Sequence, residues 1–248
     1  AWNCAACTSV TIMYKDDGSF LKQHFFIRPA MHAFIDTELI SKAPAQYMWA
    51  GIGDTYAKYY EATISSRGEQ LEHFASLGVA LSLMCRNPLL EYGPKAYEDH
   101  KKKLSTYDVE QVVLAIVVTT GITSIFLTKD FTPDYNSGLA HAIFYALTSY
   151  PVIEKNHLHG EVVGFGVLLA LLVDGEETEF EKIYELNKKI HLPVSLEEIE
   201  ITEEQWEESM NRIPEMSDVA HYPYKVTKEM LSEAMSKLKE RVQEDGEK

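Results

Sequence analysis

The sequence predicts a mainly α-helical domain with a small β appendage at its N-terminal end. Three observations lead there. Apolar residues alternate with a period of two up to about residue 36 and recur at helical spacing from Thr37 onward. A turn cluster, Lys15-Asp16-Asp17-Gly18-Ser19, separates two extended stretches near the start. Several periodic segments begin with Ser or Thr ahead of acidic or amide residues, as in Ser195-Leu196-Glu197-Glu198 and Thr202-Glu203-Glu204-Gln205, the pattern of a helix N-terminus.

Taken in order, residues 10–27 read as a β-hairpin around that turn, and residues 33–35 as a third short strand ending at Asp36-Thr37. This places a β appendage at 1–36 and a helical domain at 37–248. Within the latter, one helix starts after Pro44 and runs over 43–49. A second covers 54–65, with Asp54 as its N-cap after Gly53. Further helices are expected over 69–84, 106–127, 138–149, 160–173, 178–190, 202–210 and 227–243.

At 248 residues the chain is long enough to bury a substantial core. Its net charge of -15, from 38 acidic and 23 basic residues, repels phosphate backbones and argues against nucleic acid or an anionic membrane as partner. Cys4, Cys7 and Cys85 are an odd set without a second C-x-x-C pair, which fits a reducing, cytoplasmic setting rather than a disulfide framework or a structural zinc site. The apolar runs 112–118 and 162–173 are shorter than the roughly 20 residues of a membrane-spanning helix. The chain opens without a basic, apolar leader and without an initiator Met, and so reads as cut from a longer sequence.

Nine histidines are present, and two have informative surroundings. His141 lies in an apolar helical stretch, Leu139-Ala140-His141-Ala142-Ile143-Phe144, where an imidazole needs a polar partner. His159 follows His157 at a spacing of two, immediately before an apolar helix, so one ion would take one of the pair. Asp54 follows Gly51-Ile52-Gly53. One carboxylate and two imidazoles make three protein ligands with a position left for water or substrate.

Gly51-Ile52-Gly53-Asp54, Ala140-His141-Ala142 and His159-Gly160-Glu161-Val162-Val163-Gly164-Phe165-Gly166 resemble three metal-ligand motifs of the iron-containing alcohol dehydrogenase family, in its glycerol dehydrogenase-like branch. Their order, and the separation of 18 between His141 and His159, are similar to that branch's. The resemblance implies a dehydroquinate synthase-like helical domain in which Asp54, His141 and His159 bind Zn²⁺ or Fe²⁺. It implies an oxidoreductase acting on CH–OH groups, in which the metal polarises a small alcohol or aldehyde and a hydride passes to NAD(P). A homo-oligomer is left open.

The departures are as informative. A second histidine expected three residues after the first helical ligand is Phe144 here, and an Asp expected to touch a polyol is Cys4. Both remove polar groups from the substrate pocket and point away from glycerol itself. Lys58 stands where four-ligand members have a histidine, which favours a three-ligand, zinc-type site. By the same match Thr8, Val10 and Tyr14 would line part of a nicotinamide cleft. No glycine-rich pyrophosphate loop precedes them, so tight NAD(P) binding and activity are not expected of this chain alone. The other readings are a dehydroquinate synthase- or glycerol-1-phosphate dehydrogenase-like enzyme, which would want a basic cluster, and a non-catalytic metal-binding remnant.

Overall fold

A computed structural model describes residues 6–15, 20–129, 132–133 and 135–246. The chain opens on an antiparallel pair, β1 (Val10–Tyr14) and β2 (Phe20–Phe25), with Val10 opposite Phe25 and a register shift near Tyr14. The expected turn between them lies largely outside the described residues. Residues 33–35 adopt no regular secondary structure and pair with no strand among the described residues, so the expected third strand is not formed. Ile35 packs against the core, whereas Ile27 is 93% exposed and Phe34 97%.

The helical part begins at α1 (Thr37–Ile40), whose N-cap Asp36 accepts from the Leu39 amide. Helix α2 (Gln46–Ser65) follows as one unbroken rod of 20 residues. This corrects two expectations at once. The predicted break at Gly51-Ile52-Gly53 does not occur, and Asp54 is a mid-helix residue rather than an N-cap. Glycine inside a helix costs roughly 1 kcal/mol relative to Ala, and here tertiary packing overrides that cost, for a reason given below.

Next come α3 (His73–Ser82), a 3₁₀ turn at Leu83–Cys85, and α4 (Asn87–Lys101). The sequence pattern did not show α4. Pro88 sits in its first turn, where a missing amide costs nothing, but Pro94 and Gly93 lie inside it and mimic a loop. The expected helix over 106–127 is capped by Thr106, as its sequence suggests, but is interrupted. It comprises α5 (Tyr107–Leu114), a π turn at Ala115–Thr119 and α6 (Thr120–Phe126). The Thr120 hydroxyl donates to the Ala115 carbonyl at 3.0 Å and so occupies the widened turn. Together these form a helical run long and apolar enough to cross a bilayer, although 56% of its apolar window is buried against the rest of the fold.

A two-residue pair, β3 (Thr128–Lys129) and β4 (Thr132–Pro133), leads to α7 (Leu139–Leu147) and the short α8 (Pro151–Asn156), which the pattern also missed. Then come α9 (His159–Asp174), α10 (Glu177–Ile190), α11 (Glu203–Ser209) and α12 (Lys228–Gly246). Apolar on all sides, α9 is the centre of the domain: every residue from Gly160 to Leu172 is buried. Helices α2, α7, α10 and α12 pack around it.

A charged cluster fastens α10 to this arrangement. Glu179 accepts from the Tyr60 hydroxyl at 2.7 Å, from Arg86 Nε at 2.8 Å and from Lys182 at 2.7 Å. Burial alone would raise the Glu179 carboxyl, but these donors and the guanidinium charge bring it down to about 2. A depressed carboxylate stabilises the fold above its unfolded value, near 4.3, and loses that contribution as the pH falls towards 2. Glu179→Gln is therefore expected to cost about 1–3 kcal/mol at pH 7 and almost nothing near pH 2. Thermal denaturation of both proteins across that range checks it; a deficit independent of pH would contradict the assignment.

Candidate metal centre

The glycines of the sequence motifs are explained by helix proximity. A Cβ on Gly53 would lie 2.1 Å from the Gly160 carbonyl oxygen, and one on Gly160 would lie 1.9 Å from the Ala50 carbonyl oxygen. A Cβ on Gly166 would lie 2.7 Å from the Ala140 carbonyl oxygen. Helices α2 and α9 thus meet backbone to backbone at Gly53 and Gly160, while α9 and α7 do so at Gly166 and Ala140. Asp54, His159 and His141 are each one residue away from these contacts, so the same approach that requires the glycines brings the three side chains together.

One ligand atom from each of Asp54, His141 and His159 lies within 4.8 Å of the other two. Asp54 Oδ1 is 3.5 Å from His141 Nε2 and 3.4 Å from His159 Nε2. Burial alone would raise the Asp54 carboxyl, but hydrogen bonds and charge from the two imidazoles hold it well below its usual range. Burial disfavours a charged His141, yet Glu61 and Asp54 outweigh it and raise the imidazole to about 10. The cluster is closed on one side and open on the other: the His141 side chain is 9% exposed and that of His159 43%.

Glu61, which the sequence reading missed, stands behind His141. It lies seven residues after Asp54 on α2, two helical turns further along the same face. Its Oε2 accepts from His141 Nδ1 at 2.7 Å, and its Oε1 accepts from the His141 backbone amide at 2.9 Å. Glu61 is only 1% exposed, a burial that becomes visible once α7 packs against α2 and that no local pattern announces.

Phe144 borders the cluster, its ring edge-on to His159 at 4.4 Å, and Tyr145 continues the aromatic wall at 5.4 Å from Phe144. Burial and the nearby carboxylates push the Tyr145 phenol up to about 12. Lys58 points elsewhere and donates to the backbone and side-chain oxygens of Asn136. His157 is not a member of the cluster: its ring nitrogens face Glu161 at 2.9 Å and Glu200 at 3.1 Å. His221 lies against Tyr135, 4.4 Å between rings.

The hairpin residues are not part of this cluster. The Thr8 hydroxyl donates to the Val10 carbonyl at 2.8 Å, and Val10 opens β1. Tyr14 ends β1; Cys4 lies outside the described residues.

No family model matches the sequence. Among curated proteins, the chain is 33% identical over 202 residues to hydroxycarboxylate dehydrogenase A of Escherichia coli K12, covering 81% of this chain and 54% of that protein. It is 33% identical over 205 residues to a glycerol dehydrogenase of Thermotoga maritima, covering 79% and 52%. The chain therefore spans about half the length of the curated relatives it matches. Among solved structures, a glycerol dehydrogenase of Schizosaccharomyces pombe superposes with a TM-score of 0.80 at 25% identity, over 98% of this chain and 62% of that one. A probable glycerol dehydrogenase of Sinorhizobium meliloti 1021 gives 0.79 at 22% identity, over 96% and 67%. An iron-containing alcohol dehydrogenase of Corynebacterium glutamicum shares the fold at 0.65 and 16% identity, over 96% and 65%. The chain belongs to the iron-containing alcohol dehydrogenase family, in its glycerol dehydrogenase-like branch.

Proposed function

We propose that Asp54, His141 and His159 hold one Zn²⁺ or Fe²⁺ ion, and that this chain is the metal-bearing part of an NAD(P)-linked dehydrogenase of small alcohols or aldehydes. The spacing of the donor atoms carries the reading. Three ligands at about 2.1 Å from a tetrahedral ion stand about 3.4 Å apart, which is the separation between Asp54 Oδ1 and either imidazole. One carboxylate and two imidazoles suit zinc or ferrous iron.

A divalent ion in this position supplies Lewis acidity to a substrate hydroxyl. The protein's own contribution is orientation and exclusion. Glu61 fixes the ring of His141, the exposed edge of His159 marks the side from which a substrate enters, and Phe144 and Tyr145 form an apolar wall there. Such a wall offers little to the distal hydroxyls of glycerol and suits a less polar alcohol or aldehyde. A phosphorylated substrate fits poorly, because the Lys101–Lys103 cluster is engaged elsewhere: Lys101 pairs with Glu98, and Lys103 donates to the Lys42 and Ala43 carbonyls.

The same proposal divides the chain at residue 36. Residues 37–248 form the metal-binding domain, while the hairpin and the exposed Ile27 and Phe34 belong to the edge of a nucleotide-binding unit that covers them. In that arrangement Thr8, Val10 and Tyr14 face the nicotinamide, and the enzyme works in the cytoplasm. Expressed alone, residues 1–248 are expected to bind NADH only at millimolar concentration or above, about 4 kcal/mol or less. Nicotinamide fluorescence during titration measures this; micromolar binding would show that this chain holds the cofactor by itself.

The function is tested on the natural full-length protein by alcohol-dependent reduction of NAD⁺ or NADP⁺. Activity that a chelator removes and zinc or iron restores is expected. Turnover insensitive to chelation, or none with any primary alcohol, diol or aldehyde, contradicts the proposal and favours a non-catalytic metal-binding role.

A further inference from the structure

We propose that Glu61 is the positioning residue of the centre: a carboxylate from α2 that caps the start of α7 and, with its second oxygen, sets the orientation and tautomer of His141. The inference rests on the metal reading above. The first turn of a helix leaves amides without intrahelical partners, and the N-cap position of α7 is Gly138, which has no side chain to serve as cap. Two residues from elsewhere in the chain take that role. The Leu139 amide donates to the Tyr222 hydroxyl at 3.1 Å, and the His141 amide donates to Glu61 Oε1 at 2.9 Å.

Glu61 alone does both things. Its Oε2 accepts from His141 Nδ1 at 2.7 Å, so that nitrogen carries a proton and Nε2 is left facing Asp54. Because one carboxylate holds both the backbone and the ring of His141, the amide hydrogen bond to Oε1 fixes where Oε2 lies and so where Nδ1 points. Gly138 belongs to the same device: a Cβ there would meet the Glu61 side chain at 3.1 and 3.2 Å, so glycine lets the carboxylate come close to the helix start. Lys58, one turn before Glu61, ties Asn136 of the approaching loop to the same helix.

Geometry also indicates which substitution is informative. A carboxylate accepts at both oxygens, whereas the Gln amide accepts at one and donates at the other. Glu61→Gln therefore sets a donor against either the His141 amide or Nδ1–H. Tyr222→Phe removes the neighbouring cap and leaves the ring contact of His141 untouched.

The test is zinc affinity by chelator competition for wild type, E61Q and Y222F, with thermal stability and helicity recorded for each in the zinc-free state. E61Q is expected to bind zinc about 10–100-fold more weakly, and Y222F to lose stability while keeping wild-type affinity. Equal affinity of E61Q and wild type overturns the proposal; so does an equal weakening in Y222F, which would reduce Glu61 to an ordinary cap. Wild-type protein that binds neither zinc nor ferrous iron refutes the metal reading itself, and this role with it. Ring-nitrogen NMR of wild type stands apart from whether E61Q folds. A slowly exchanging Nδ1–H assigned to His141 is expected, and Nδ1 lacking a proton would overturn the assignment.

Discussion

Replacing His141 and His159 together by alanine is expected to abolish stoichiometric metal retention while the domain stays folded. The two imidazoles supply two of three ligands, and a lone Asp54 carboxylate in water competes poorly for zinc or ferrous iron. Folding is expected to survive because the His159 side chain is 43% exposed and its ring lies against Phe144 and against His141, which the same variant removes. Removing His141 is less benign, since it leaves Glu61 buried with its Oε2 unpaired, although the backbone amide still reaches Oε1. The double variant is therefore expected to lose about 1–3 kcal/mol for that orphaned acceptor and all of its tightly held ion. Metal analysis after gel filtration in the presence of a weak chelator measures retention. An unchanged content would place the site at residues other than these three.

The second large effect concerns packing. Gly160→Ala would place a methyl carbon 1.9 Å from the Ala50 carbonyl oxygen, and that oxygen belongs to a helix backbone that no rotamer change can move. Helices α2 and α9 must separate instead. A cost of roughly 3 kcal/mol, at the upper end for overpacked cores, is expected, or about 6–12 °C in Tm for a chain of this size. Because Asp54 and His159 sit on either side of this crossing, metal binding should fall with stability. Gly93→Ala is the contrast. It is also a mid-helix glycine, but its nearest new neighbour would be the Leu186 side chain at 3.5 Å, an ordinary contact. That change should be neutral or stabilising by up to about 1 kcal/mol. A Gly160→Ala protein that gains stability as Gly93→Ala does, read by thermal denaturation, would show that helix propensity rather than close approach governs Gly160.

These glycines also show what was and was not legible in the sequence. Asp54, His141 and His159 could be grouped in advance through the family resemblance of their three short motifs, and the structure brings the three side chains together. The starts of the helices at Thr106, Thr202 and Thr227 fall within a residue of the expected positions. Gly51-Ile52-Gly53 was misread as a break because locally it is one; only the α9 backbone lying against it makes helix the better state. Helix α4 was missed for a related reason, since Pro94 and Gly93 signal a loop until the packing of the neighbouring helices is known. Residues 33–35 have strand composition but no strand to pair with among the described residues. Glu61 carries no motif: its role follows from the approach of α7 to α2, a long-range event that no local pattern records.

The central claim is that one divalent ion lies between Asp54, His141 and His159. Crystals of the metal-loaded protein, with anomalous differences collected on either side of the zinc or iron absorption edge, test it most directly. The account predicts a single strong peak per chain, about 2.0–2.2 Å from Asp54 Oδ1 and from Nε2 of both histidines, with Nδ1 of His141 still on Glu61. A peak anywhere else in the chain with none between these three residues, or protein that takes up zinc or iron in solution yet shows no peak there, would contradict it.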